Sequence, residues 1–145
     1  MKLFTALRSF LSLLFFVYDL ATKKYARSVV ILCYHSFANS NNRYAVNLEV
    51  FKKQVRRIQK FADFVRINDL KVPAKNGRAK VALTIDDGLS SVMDILPFTQ
   101  ANYIPVALFI LANPEKANRA ELDTDEKFLT WTQIKQLHKA GWTIG

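Results

Sequence analysis

The hydrophobic and polar positions of this chain fall into three kinds of pattern. From Leu3 to Ala21, Leu and Phe dominate, and Thr5, Arg8, Ser9, Ser12 and Asp19 share one narrow stripe at helical spacing. The apolar stretch from Phe10 to Tyr18, broken only by Ser12, is shorter than the roughly 20 residues that cross a bilayer. Lys23, Lys24 and Arg27 follow it. The pattern predicts an uncleaved interfacial helix or a short signal anchor with a basic flank over residues 1–27. A helix buried against the rest of the protein is the other reading. A cleaved secretory signal fits less well, because Asp19-Leu20-Ala21 is not a small-residue cleavage site.

The second pattern is strand-like. Residues 28–34 are a β-branched and aromatic run that predicts a fully buried strand. After His35, Ser36 and a polar loop at 39–42, Asn47 stands where it can cap a helix that begins at Leu48. Leu48, Phe51, Val55, Ile58 and Phe61 line the apolar face of that helix, and Lys52, Lys53, Arg56, Arg57 and Lys60 crowd the other. A short strand is expected at 64–67, followed by turns through Pro73, Asn76 and Gly77. Residues 80–85 read as a second buried strand, 91–102 as helix, 105–111 as a third buried strand and 115–125 as a polar excursion. A helix at 131–140, capped by Thr130 and stopped by Gly141, leads into a further strand at 142–144. Strands that are apolar without alternation, separated by helices, are those of a parallel α/β sheet covered on both faces.

The third pattern is charge. Residues 1–80 carry 16 Lys and Arg against 4 Asp and Glu, whereas 81–145 carry 5 against 8. A basic half suits an anionic surface such as a membrane, or is simply a solvated face. No zinc-finger spacing or glycine-rich phosphate loop accompanies it, so nucleic acid is not an expected partner. Half of the 145 residues are hydrophobic, which excludes a disordered or collagen-like chain and suffices for one core. Cys33 is the only cysteine, so no intrachain disulfide can form. Lying in an apolar run, it is expected to be a small core residue.

The chemistry concentrates at Asp86-Asp87-Gly88. Two adjacent carboxylates at the end of a buried strand cannot both be core residues, since isolated buried charges are costly. Parallel α/β folds place their sites at the carboxyl ends of strands, and where the chain turns there, neighbouring carboxylates can face one cavity. One could bind a divalent cation while the other takes a proton from water. An Asx turn or helix cap is the competing reading of the same three residues.

Four segments in order carry a resemblance to the polysaccharide deacetylase family with its NodB-type homology domain. They are Ile31-Leu-Cys-Tyr-His-Ser36, Val81-Ala-Leu-Thr-Ile-Asp-Asp-Gly88, Ile104-Pro-Val-Ala-Leu-Phe-Ile110, and Phe128-Leu-Thr-Trp-Thr-Gln133 through Gly141-Trp-Thr-Ile-Gly145. Ile85 stands where the family has Phe, a swap that keeps a buried hydrophobe. The resemblance spans about residues 29–145, so the chain divides into an N-terminal helix, 1–27, and a partial deacetylase domain, 28–145. It implies the first half of a distorted (β/α) barrel, with an open strand edge and exposed apolar surface. It also implies metal-dependent removal of acetate from an N-acetylated glycan, Asp86 as general base and Asp87 as ligand to a divalent metal, usually zinc. His35 sits in a Tyr-His pair similar to that of a subgroup acting on polymeric N-acetylglucosamine, so it either lines the site or is a hydrogen-bonded structural histidine.

The family completes its metal site with a His-Ser/Thr-x-x-His segment directly after Gly-x-x-Ile-Gly, and this chain ends at Gly141-Trp-Thr-Ile-Gly145. The 145-residue chain is therefore expected to be inactive by itself, because one carboxylate does not hold zinc usefully and catalytic sites use three protein ligands. A non-catalytic relative that binds membrane or glycan is the alternative. His138 is expected on the surface, and Trp131 in the core in preference to a sugar-stacking position. Membrane association or a place in the cell envelope is expected from residues 3–27.

Overall fold

A computed structural model describes residues 29–38, 44–72, 77–117 and 125–145. The expected N-terminal helix and the boundary at residue 28 lie outside the described residues. The organising element is a strand, Ala79–Ile85, in which every residue is buried. It is β3 of five parallel strands: β1 (Val29–Tyr34), β2 (Ala62–Phe64), β3, β4 (Val106–Leu108) and β5 (Thr143–Ile144). One edge of β3 pairs with β1 from Val29↔Lys80 to Tyr34↔Ile85. The other edge is shared, by β2 at Ala79 to Val81 and by β4 at Leu83 to Ile85. β4 pairs onward with β5. An all-parallel sheet with helical crossovers is the architecture that the unbroken apolar strands predict.

Alternation along β1 and β3 separates two faces. Leu32, Tyr34, Leu83 and Ile85 pack into the main core with Phe51, Val55, Val92, Ile95 and Leu108. Ile31, Cys33, Thr84 and Asp86 line a depression on the opposite face. Here the expectation of a fully buried first strand is corrected. β1 has no strand on its outer edge among the described residues, and Val29 and Ile31 are 51% and 54% exposed. An apolar run alone does not say whether a strand is central or an edge.

The helix after β1 is α1 (Leu48–Ile58), and Asn47 caps it by accepting from the amides of Glu49 and Val50. Phe51 and Val55 are buried beneath it, while its basic side faces out. Phe61, expected on the apolar face, lies beyond the end of the helix and is exposed, because the chain turns there to enter β2. The expected strand at 64–67 forms two residues earlier and gives way to a 3-10 turn at Ile67–Asp69. Arg78 holds this corner together, pairing with Asp63 at 2.6 Å and donating to the carbonyls of Gln59 and Ala62. Lys80 is buried in β3, and its ammonium donates to the carbonyls of Asp69 and Val72.

The expected helix at 91–102 begins as a 3-10 turn, Ser90–Ile95, and continues as α2 (Leu96–Ala101), with Pro97 in its first turn. The predicted strand 105–111 shortens to three buried residues, after which Phe109 donates to the Ile85 carbonyl and Ile110 to that of Gly145. α3 (Trp131–Lys139) forms as predicted, with Thr130 and Gln133 in a reciprocal capping box. Gly141, at φ +94°, ends it in a conformation suited to glycine.

Candidate functional site

Asp86, Asp87 and Gly88 follow β3 at the carboxyl end of the parallel sheet. The Asp86 amide donates to the Tyr34 carbonyl at 2.9 Å, so the sheet pairing fixes where the motif starts. Asp87 and Gly88 then adopt left-handed backbone, at φ +69° and +71°. Gly88 is required twice over, since a Cβ there would also meet Ile110 Cγ2 at 3.0 Å. Aspartate is one of the few residues besides glycine that adopts this region, and non-glycine residues found there gather at functional sites. The two carboxylates both line the open depression of about 600 Å³. Asp87 also lines a second groove of about 330 Å³, with Gly88, Asn113, Glu115, Phe128 and Trp131. The adjoining acids thus face shared space.

The end of β1 supplies the rest. Tyr34↔Ile85 pairing sets His35 beside Asp86, and Cys33 lies two residues before His35 on the same face. Cys33 Sγ donates to Asp86 Oδ2 at 3.2 Å. The ligand atoms of Cys33, His35 and Asp86 all lie within 4.8 Å of one another, and His35 stacks on Tyr44 at 5.2 Å. Burial pushes the Asp87 carboxyl above its ordinary value; the nearby His35 opposes the rise and Asp86 adds to it. Burial also raises the Cys33 thiol, reinforced by its bond to Asp86.

Two sequence expectations are corrected at this site. Cys33 is exposed at the mouth of the depression and not in the core, because odd positions of β1 face away from α1. Trp131 is 72% exposed on the rim of the groove beside Asp87, also not in the core. It is the first residue of α3, where the side chain overhangs the helix start; Leu137 and Trp142 are the ones that pack inward. His35 lies close to Cys33 and Asp86. His138 is exposed on α3, as expected.

Glu126 is the residue that sequence reasoning missed. Its carboxylate accepts from Ser36 Oγ at 2.7 Å, from Ser90 Oγ at 3.4 Å and from the Ser91 amide. The Phe37 amide donates to Ser91 Oγ at 2.9 Å, and the Leu129 amide to the Gly88 carbonyl at 2.8 Å. This network ties the end of β1 and the turn after Asp87 to the strip that leads into α3. Nothing local marks it; the partners are up to 90 positions apart. Glu126→Ala is expected to destabilise the chain by about 1–3 kcal/mol, since Ser36 is wholly buried and loses an acceptor. Glu126→Gln should lose less in the same urea titration. Equal midpoints for Glu126→Ala and wild type would remove the network from the account.

The chain's fold is similar to three solved structures. IcaB from Ammonifex degensii aligns with a TM-score of 0.69 at 24% identity, over 81% of this chain and 52% of that one. The de-N-acetylase from Aggregatibacter actinomycetemcomitans aligns at 0.57 and 16%, over 81% and 53%. The Streptococcus pyogenes deacetylase PplD in complex with acetate aligns at 0.53 and 15%, over 81% and 54%. The chain has part of a deacetylase fold. It spans about half the length of each of these structures. No protein-family model and no curated protein matches it. The partial α/β barrel expected from the motifs is thereby borne out as a fold. Among the described residues, no helix is long and apolar enough to cross a membrane.

Proposed function

We propose that this chain carries one half of a carbohydrate deacetylase site, which hydrolyses the N-acetyl amide of an acetylated polysaccharide or oligosaccharide. The observation that carries the reading is the Asp86-Asp87 pair. It stands at the carboxyl end of β3, with Asp87 in left-handed backbone, between an open depression and a groove with an exposed tryptophan on its rim. The deacetylase fold of the structural neighbours supports it.

In this reading Asp86 takes the proton of the attacking water and Asp87 is a ligand to a divalent metal, zinc by the family resemblance. His35, beside Asp86, contacts the sugar. A bound cation would polarise the acetyl carbonyl and acidify a water. A thiol, an imidazole and a carboxylate do meet at the site, in Cys33, His35 and Asp86. That set differs from the family's, of which Asp87 alone is present here. The isolated chain is therefore expected to release no acetate. Trp131 offers an apolar ring face beside polar groups, the combination that holds a sugar ring. Membrane association through residues 3–27, and a place at the cell envelope, belong to the same proposal and rest on the apolar and basic pattern of that segment.

The test is to read the coding DNA past the Gly145 codon and assay the product. A frame that continues into His-x-x-x-His, with acetate released from N-acetylglucosamine oligomers, supports the enzyme. A stop codon there, with glycan binding but no release, favours the non-catalytic relative. Glycan contact has its own readout in the two tryptophans, since Trp142 is buried and Trp131 exposed. Oligomer binding is expected to shift the emission of Trp131, and Trp131→Ala to weaken binding about tenfold, near 1–2 kcal/mol for a lost aromatic contact. An unchanged affinity in Trp131→Ala would take the ring out of the site.

A further inference from the structure

We infer that the outward side of α1, around Lys53, Arg57, Lys60 and Phe61, docks on a membrane surface of anionic lipid and turns the Asp86-Asp87 pair away from it. The inference deepens the membrane association proposed for residues 3–27 and rests on that reading for the choice of lipid as partner.

Topology gathers the relevant parts at one end of the sheet. α1 leaves the carboxyl end of β1 and returns the chain to the amino end of β2, so its last turns lie at the amino end. Val29, where the chain enters β1, pairs with Lys80 of β3, and Asp63 pairs with the same residue from the other edge. At about 4.8 Å between neighbouring strands, Val29 and Asp63 stand roughly 10 Å apart. The basic run Lys23, Lys24 and Arg27 therefore joins the domain two strands from Phe61. Asp86 and Asp87 follow the seven residues of β3 and stand roughly 20 Å away, at the opposite end.

Charge selects the partner. Lys53, Arg56, Arg57, Lys60 and Phe61 line a depression of about 660 Å³ with no acid among them. The ion pairs among the described residues are Lys52–Glu49 and Arg78–Asp63, so none of these four cations has a carboxylate partner there. Arg56 lies over the Phe98 ring, 5.5 Å from its centroid, while Lys53, Arg57 and Lys60 are exposed. A basic face alone would suit any polyanion, and its apolar neighbours favour lipid. Phe61 is 49% exposed, and Val50, one turn before Lys53 on the same side of α1, is 45% exposed. Apolar side chains between cations whose stems can snorkel are the arrangement of interfacial helices. The apolar stretch at 10–18 is too short to span a bilayer, and a weak anchor is held firmly when a polybasic patch acts beside it. With the amino end of the sheet on the lipid, the two carboxylates face outward, where a polymer can reach them.

The experiment is flotation of the 145-residue chain with vesicles of phosphatidylcholine alone and of phosphatidylcholine with one-third phosphatidylglycerol. Binding to the neutral vesicles reports residues 3–27, and the excess on the anionic ones reports charge. The combined Lys53→Gln, Arg57→Gln and Lys60→Gln variant should lose about a hundredfold of that excess, at about fivefold per charge, with neutral binding unchanged. All three positions are exposed and glutamine suits a helix, so the fold is kept, as circular dichroism would verify. The same change at Lys116, Lys127 and Lys135, which are exposed elsewhere, should leave most of the excess. An excess that survives the α1 substitutions, or that falls equally in both sets, overturns the inference. So does α1-dependent binding to duplex DNA that is tighter than binding to the anionic vesicles, which would make nucleic acid the occupant. Cys33, the only cysteine, opens on the depression that Asp86 and Asp87 line. A water-soluble thiol reagent should therefore reach it as fast on anionic vesicles as in solution, and protection would overturn the orientation. A chain that ignores neutral vesicles yet binds anionic ones through α1 removes residues 3–27 and keeps this inference, so the two readings fail separately.

Discussion

Asp86→Asn is expected to lower acetate release by about a hundredfold to ten-thousandfold in a chain that completes the site, the usual range for loss of a general base. The substitution suits the test because it keeps the side-chain shape and an oxygen that can still accept from Cys33 Sγ. The Asp86 amide bond to Tyr34 is a backbone contact and survives. Folding should therefore be unchanged while the proton acceptor is lost. Asp87→Asn is the companion: asparagine tolerates left-handed backbone as aspartate does, so the turn at φ +69° is kept while the charged ligand is removed. Steady-state acetate assays on both variants, with thermal unfolding alongside, separate loss of chemistry from loss of fold. Retention of more than about a tenth of the rate in Asp86→Asn would remove it from the role of base.

The largest stability effect should come from Phe51→Ala, at about 3–5 kcal/mol. Phe51 is fully buried on α1, with its ring 4.8 Å from Phe37, 5.2 Å from Tyr34 and 5.9 Å from Phe98. Each contact is edge-on or steeply tilted, the arrangement aromatic pairs prefer. Removing the ring leaves a cavity that three rigid neighbours cannot fill. Domains are stable by only about 5–15 kcal/mol, so this one change would remove much of the total. The consequence reaches the site, because Tyr34 directly precedes His35 and Phe37 follows Ser36. Urea unfolding of Phe51→Ala and Phe51→Leu measures it, with the leucine variant losing less. A shift below about 1 kcal/mol in the alanine variant would mean that the core is not organised around this ring.

Local signals were enough for much of this. Asn47 and Thr130 announced their caps, the unbroken run at 80–85 announced the central strand, and Asp86-Asp87-Gly88 announced a strand ending in acids. Each works through neighbours within four positions, or through a pattern that solvent enforces along one element. The order of the four motif segments supplied the partial barrel, which the structural neighbours bear out as a fold.

What failed were statements about surroundings. Val29 to Tyr34 is apolar, but only the sheet order leaves it without an outer partner among the described residues, and Ile31 and Cys33 face a depression. Trp131 is the kind of residue that fills cores, yet its place in the first turn of α3 sets it beside Asp87. Glu126 reads as one more surface acid until Ser36 and Ser91 are brought to it. Sequence determined the elements of this protein, because capping, periodicity and turn chemistry act over a few residues. Tertiary structure alone decided that Cys33, His35 and Asp86 meet, because the register between β1 and β3 joins positions more than fifty residues apart, and no local interaction encodes that distance.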